Sequence, residues 1–531
     1  MILTQANGNP AAAPPAGRAT LDDLFRHAAS RRPDATALAD APNRQCFTDG
    51  RPRQLTYAEA DHMISALAGR LRRIGLHSDA IVGLQMANTV ESVLVLLAIL
   101  RAGLIAMPLP LLWRRADAAA ALGRVGANAL IVTGRVGAVD HFDLALQVAA
   151  EIFSIRFVCA FGRNPPDGII PLDDLFENAT FDPVPSIERE RALPPGPGAH
   201  LALITWDVSP WGLVPVARSH AELIAGGLAV LLESAIKQDA VMLSTMMMSS
   251  FGGITASLLP WLQTGGTLVL HHPFDCSAFM AQRKANRCDT VILPGPMLQQ
   301  LAEAEHLAAS DGLQNLIGVW RAPERLRQAP TWSEIDVALT DVQVFGEVGL
   351  LAGHRGANGK PCATHFGLIT ARDARKDATV VAEIARSPKG TMAMRGGMVP
   401  RCAFPAGAEH TAFPFFRVAD DGFVDTGYPC RPDKESNVLT LIGAPPAIAS
   451  VGGYRFALRE LEESVNGLDC EATLAVLPDA LTGQQLAGSA PDRTYTQEAL
   501  IRLGVNPLLV EAFSPRFQNS DGADQKTSPD N

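Results

Sequence analysis

From residue 21 to about residue 294 the chain alternates short β-rich runs with amphipathic helical stretches, and this restricts its fold more than any other feature. The segment LDDLFRHAASRRP (21 to 33) puts Leu21, Leu24, Phe25 and Ala28 on one helical face and stops at Pro33. LTYAEADHMISALAGRLRRIGL (55 to 76) opens with Thr56 and, three residues on, Glu59, the pattern of a capping box. IVGLQM, a helix over 90 to 102, LIAMPL, ALIVTG, IRFVCAFG, LALIT, a helix over 219 to 236, VMLST, a helix over 253 to 264, TLVLHH and TVILPG continue the alternation. Helices that return the chain between short strands predict α/β sheets.

A chain of 531 residues exceeds what one core holds, since single cores stop growing near ~250–300 residues, so two or three units are expected. Past about residue 378 the style turns strand-rich, in TVVAEIARS, GTMAMRGG, FFRVADDGFVDTG and NVLTLIG. From residue 443 a short α/β unit follows, with ALRELEESVNG as its clearest helix. The expected division is a disordered Ala/Pro tail over 1–20, a large domain over 21–442 with a β-rich portion over about 378–442, a small domain over 443–515, and a disordered polar tail over 516–531.

Composition excludes several classes. A net charge of −10 without long runs of either sign argues against nucleic acid or an anionic membrane as the main partner. The eight cysteines, Cys46, Cys159, Cys276, Cys288, Cys362, Cys402, Cys430 and Cys470, lack any C-x-x-C pairing. They read as reduced, mostly buried thiols of a cytoplasmic protein. The apolar stretch 91 to 113 is interrupted by Arg101, Gly103, Pro108 and Pro110, so it reads as a buried helix and strand rather than a membrane span.

Several segments, in order, resemble the adenylate-forming superfamily of acyl-CoA synthetases, peptide-synthetase adenylation domains and luciferases. The stretch from Leu55 to Leu109, with Asn88 and then Ala102, Gly103 and Pro108, resembles that family's opening. FGGITASLLPWLQTGGTLVLHH and CDTVILPGPMLQQL are similar to its middle, and DDGFVDTG (420 to 427) and VGGYRFALRELEESV (451 to 465) to its late motifs. The resemblance implies the adenylate-forming-enzyme fold: a large N-terminal α/β domain, a hinge and a small C-terminal lid. It also implies a family chemistry, in which a carboxylic acid attacks ATP and the acyl-adenylate passes to coenzyme A. ATP or AMP, magnesium and coenzyme A are implied by the family alone.

That chemistry needs hydrogen-bond donors around the phosphates, a metal, a grip on the nucleoside and a cation at the reacting centre. The family's phosphate loop, T-S-G-T-T-G-x-P-K-G-V-x-x-S/T-H, corresponds to WDVSPWGLVPVARSH (206 to 220). Ser209 and a displaced Gly212 survive, with Thr205 just before; two prolines lack N–H groups, and Asp207 repels a triphosphate. The loop holds no lysine, and Arg218 is the nearest substitute charge. Y-G-x-T-E appears as Phe345-Gly346-Glu347-Val348-Gly349, which makes Glu347 the candidate catalytic or magnesium-binding carboxylate. The ribose-gripping aspartate of T-G-D is replaced by Tyr428. The hinge G-R-x-K-D reads Gly443-Ala444-Pro445-Pro446-Ala447, and no lysine lies between Lys434 and Lys526.

The nucleotide-side candidates are thus Thr205, Ser209, Gly212, Arg218, Gly346 and Tyr428, and the substrate- or coenzyme-side candidates are His220, Ser249, Gly252, Gly452 and Gly453. His271-His272 reads as a strand end, because adjacent strand residues point to opposite faces. Ser249 and Ser250 lack the G-x-S-x-G setting of a hydrolase nucleophile, and Met246, Met247 and Met248 read as a pocket wall. The expectation is a ligase-family chain with adenylation lost or strongly reduced, acting as a binding, regulatory or partner subunit. It would take an acyl or aryl acid or its thioester, and would associate with a protein partner or as a homodimer. The alternative is an active acyl- or aryl-CoA ligase with a rebuilt loop.

Overall fold

The structure, a computed structural model, describes residues 19–177, 196–307, 312–333, 336–371, 379–433, 435–468 and 470–514. The expected tails lie outside these residues except at Ala19 and Thr20. Thr20 is buried and caps the first helix, Leu21–Arg31, accepting from the Asp23 N–H at 3.1 Å.

The alternation read from the sequence builds two large sheets. An eight-stranded sheet contains the parallel core Val241–Ser244, Thr267–Leu270, Thr290–Pro294, Asn315–Trp320 and Ala338–Phe345, closed by the antiparallel strand Gly349–His354. A seven-stranded sheet is built on Ile81–Gln85, Ile105–Pro108, Ala129–Thr133 and Phe157–Phe161, and ends in the antiparallel pair Leu201–Ser209 and Gly212–Ser219. One continuous apolar cluster draws on both sheets and on the helices between them, so the faces turned toward each other are the main core. The helix Tyr57–Arg73 begins at the expected capping box, with Thr56 and Glu59 bonded reciprocally.

The stretch 91 to 113 folds as read. Helix Val90–Arg101 is buried on every side and hands over to strand Ile105–Pro108. No helix among the described residues is long and apolar enough to cross a membrane. The helix expected over 253 to 264 differs: it starts at Phe251, widens into a π-helical turn over Ile254–Leu258 and resumes over Leu259–Thr264. Pro260 lacks the N–H that a regular ladder would use. The β-rich portion is a five-stranded sheet in which Val424–Pro432 is a strand, whereas the expected FFRV run is not. None of the eight cysteines forms a disulfide, and only Cys159, Cys288 and Cys430 are buried, fewer than expected.

Beyond the Pro445-Pro446 segment, a four-stranded sheet with helices Leu458–Asn466, Arg493–Leu503 and Pro507–Glu511 surrounds its own apolar cluster of Leu461, Leu500 and Phe513. This C-terminal unit lies against the tip of the hairpin 201–219 and against helix Arg115–Val125.

Candidate functional site

The residues aligned with a phosphate loop form most of a β-hairpin. Trp206 pairs with Pro215, Asp207 with Val214 and Ser209 with Gly212, so only Pro210 and Trp211 remain as the turn. Ile204 and Trp206 are buried on one face and Val214 and Val216 on the other, so the segment packs as strand between two apolar clusters. Gly212 takes φ 115°, and the Ser209 hydroxyl donates to the Gly212 carbonyl at 3.0 Å while accepting the Trp211 N–H at 3.2 Å. Successive N–H groups of a ladder point in opposite directions. They do not converge on one anion as the N–H groups of a phosphate-binding nest do.

Arg218, on the returning strand, is fully buried and turned inward. Its Nη2 donates to the carbonyls of Glu347 and of Val348, the latter at 3.2 Å, and its Nη1 reaches the Thr205 hydroxyl at 3.5 Å. The guanidinium lies 3.9 Å from the centre of the Phe251 ring. Burial lowers its pKa to about 10 against the pull of the nearby carboxylates, above all Glu347. Arg218 of the hairpin therefore holds the chain 347–348 in place.

Glu347 is 2% exposed, and its Oε2 accepts the Phe251 N–H at 2.8 Å. Burial raises its pKa, opposed chiefly by Arg218. Gly346, at φ 56°, is where a Cβ would collide with both Arg455 and Asp207, so glycine is required by conformation and by space. Asp207 accepts the Glu347 N–H at 2.9 Å and pairs with Arg455 from strand Tyr454–Ala457 of the C-terminal unit. Tyr428 is buried edge-on to Phe345, with ring centres 5.5 Å apart, and its hydroxyl donates to the Arg321 carbonyl at 3.5 Å. Burial pushes the phenol pKa upward.

Gly452 and Gly453 form a two-residue turn at φ 58° and 81°, and Gly453 sits against the Arg321 side chain. The structure thus gathers Thr205, Arg218, Gly346, Glu347, Tyr428 and Gly453 around Phe251, Phe345 and Arg321. Three further candidates have other neighbours. His220 starts helix His220–Ser234 and accepts the Leu21 N–H at Nδ1, 3.3 Å. Gly252 lets the helical segment approach Val344. Ser249 lines a cavity of about 20 Å³ with Asn88, whose buried carboxamide atoms have no hydrogen-bond partner.

Sequence reasoning missed Arg455 and Arg321. Arg455 had one signal, its place in the segment 451–465 that resembles a late motif, and Arg321 had none. The residues present do not fit a magnesium–triphosphate group. Glu347 faces a backbone N–H and Arg218 rather than open oxygen ligands, and Asp207 adds negative charge.

The sequence pattern of the AMP-binding enzyme family matches residues 25–175. A 2-hydroxy-7-methoxy-5-methyl-1-naphthoate–CoA ligase from Streptomyces carzinostaticus is 25% identical over 469 residues, covering 85% of this chain and 82% of the relative. Among solved structures, an amide bond synthetase from Marinactinospora thermotolerans superposes with a TM-score of 0.67 at 19% identity, covering 93% of this chain and 94% of that one. An o-succinylbenzoate CoA synthetase from Bacillus subtilis does so at 0.65 and 15% identity, covering 91% and 92%. With the two large sheets, the β-rich sheet and the small C-terminal unit already in place, these likenesses give the chain the fold of adenylate-forming enzymes, and its residues 25–175 carry the sequence pattern of AMP-binding enzymes.

Proposed function

We propose that this chain is a ligand-binding or regulatory member of the acyl- and aryl-CoA ligase family in which ATP-dependent adenylation is lost or strongly reduced. The observation that supports this reading is the hairpin in place of the phosphate loop, with Asp207 bonded to the Glu347 N–H and paired with Arg455. A triphosphate entering here has to displace an internal carboxylate from its donor and its cation. It then meets no converging N–H groups in return. Retention of the family's core favours a continuing ligand, an acyl or aryl acid or its thioester, or a protein partner that uses the same surface.

Calorimetric titration with magnesium-ATP and, separately, with AMP tests this without a guess at the acid. No heat of binding at millimolar nucleotide and no pyrophosphate release with a panel of carboxylic acids is the expected result. Binding at ~1–100 μM, equivalent to roughly −8 to −5.5 kcal/mol, overturns it in favour of a ligase whose loop has been rebuilt around Ser209, Arg218 and Glu347.

A further inference from the structure

We propose that a cavity of about 420 Å³ on the outer face of the eight-stranded sheet binds a hydrophobic ammonium ion, an aromatic or alkyl amine. Along strands Asn315–Trp320 and Ala338–Phe345, Ile317, Val319, Val342 and Val344 face the main core that holds Phe251, while Leu316 and Leu339 belong to the opposite cluster. By strand alternation Gly318, Trp320 and Asp341 share the face of Leu316 and Leu339. The cavity is therefore across the sheet from Arg218 and Glu347, and the proposal does not depend on the nucleotide reading.

Its walls are held rigidly. Trp320 donates from Nε1 to Asp341 Oδ1 at 2.9 Å, and its ring fills the space where Gly295 has no Cβ. Trp332 donates from Nε1 to the Val337 carbonyl at 2.8 Å, and Leu298 of helix Gly295–Glu303 completes the apolar lining. At Gly318 a Cβ would make only ordinary contacts of 3.4 to 3.6 Å, so the missing side chain leaves room.

The charges select the ligand. Arg355 is bound through Nε and Nη2 to Asp341, and through Nη1 to the carbonyls of Pro330 and Gly359. This arginine and Asp341 cancel in the floor. Glu303 and Glu305, exposed on the lining, remain uncompensated. Indole faces attract organic cations, and carboxylates at the rim add to that attraction while opposing an anion. The volume falls in the usual range for small-molecule sites, ~300–1,000 Å³.

The test titrates the full chain at neutral pH with phenethylammonium, 2-phenylethanol and 3-phenylpropionate, followed by calorimetry and tryptophan fluorescence. The ammonium ion is expected to bind about tenfold tighter than the alcohol, and added salt to narrow that margin. Glu303→Gln with Glu305→Gln should reduce the preference to less than about threefold, and Gly318→Leu should abolish binding. Because Gly318→Leu can misfold, Ala302→Trp, on the partly exposed helix face of the cavity, serves as the second filling variant. Equal binding of cation and alcohol, no binding at about 10 mM, or binding unchanged by Ala302→Trp each overturns the proposal.

Discussion

The carboxylate of Asp207 and the guanidinium of Arg455 form an ion pair that joins the hairpin of the large domain to the C-terminal unit, with 14% and 9% of the two side chains exposed. Around this pair, Arg459 lies over the Trp211 ring at 5.6 Å, Arg325 donates to the carbonyls of Ala480 and Leu481, and the Ala116 N–H donates to the Gly504 carbonyl at 3.0 Å. Arg455→Met leaves Asp207 without its cation in a mostly dry seam. This should weaken docking of the C-terminal unit by about 2–4 kcal/mol, below a fully buried pair because some exposure remains. Faster proteolytic cleavage within residues 443–447 is the expected readout. The double variant Asp207→Asn with Arg455→Met should recover part of the resistance. Cleavage of Arg455→Met at the native rate means the pair does not hold the unit.

Arg218 carries a second prediction. Its planar fork reaches the carbonyls of Glu347 and Val348 while its face rests on Phe251. A lysine ammonium cannot make both contacts, and burial that already lowers the arginine to about 10 pushes an amine further toward its neutral form. Arg218→Lys should lower stability by about 2–4 kcal/mol, read as a fall in melting temperature. An unchanged melting temperature shows that the fork geometry is dispensable.

Asp117 predicts a pH dependence at the same seam. Its Oδ2 is sealed from solvent and has no hydrogen-bond partner, and burial, with help from Glu460, raises its pKa from 3.8 to about 7. The Arg114 N–H and side chain oppose the shift, and Tyr454 from the C-terminal unit faces the same carboxyl. Between pH 3.8 and about 7 the unfolded group has lost its proton while the folded group keeps it, so this residue's contribution falls as pH rises and is flat above about 7. Asp117→Asn should remove that slope and gain at most about 4 kcal/mol at pH 8. Urea midpoints of both proteins across pH 4–8 check it, and parallel curves count against it.

The alternation of strand and helix was legible because burial on both faces of a parallel sheet leaves apolar runs, and the capping residues Thr56 and Ser219 announce their helices locally. The hairpin was harder to read. Its strands were obscured by alignment with a loop, although Ile204, Trp206, Val214 and Val216 carry the alternation. What Arg455 and Arg321 do was illegible, since each acts on residues more than a hundred positions away. The π-helical turn at Ile254–Leu258 depends on how Pro260 is accommodated, which periodicity does not report.

Glu347 separates the two functional readings. Burial, with Asp207 adding to it, raises its carboxyl, so the protonated form is favoured in the folded chain relative to the unfolded one, and stability declines as pH rises toward neutrality. Glu347→Gln keeps an oxygen to accept the Phe251 N–H and removes the buried charge. It should match or exceed the native protein above neutral pH, with a margin that grows as pH rises from acid. Glu347→Ala strands that N–H and should cost about 1–3 kcal/mol. Thermal melts of the three proteins with and without millimolar magnesium-ATP measure both effects. The same melting temperature with and without ligand fits a structural carboxylate, whereas stabilisation of the native protein that Glu347→Gln abolishes makes Glu347 a metal ligand and restores the ligase reading.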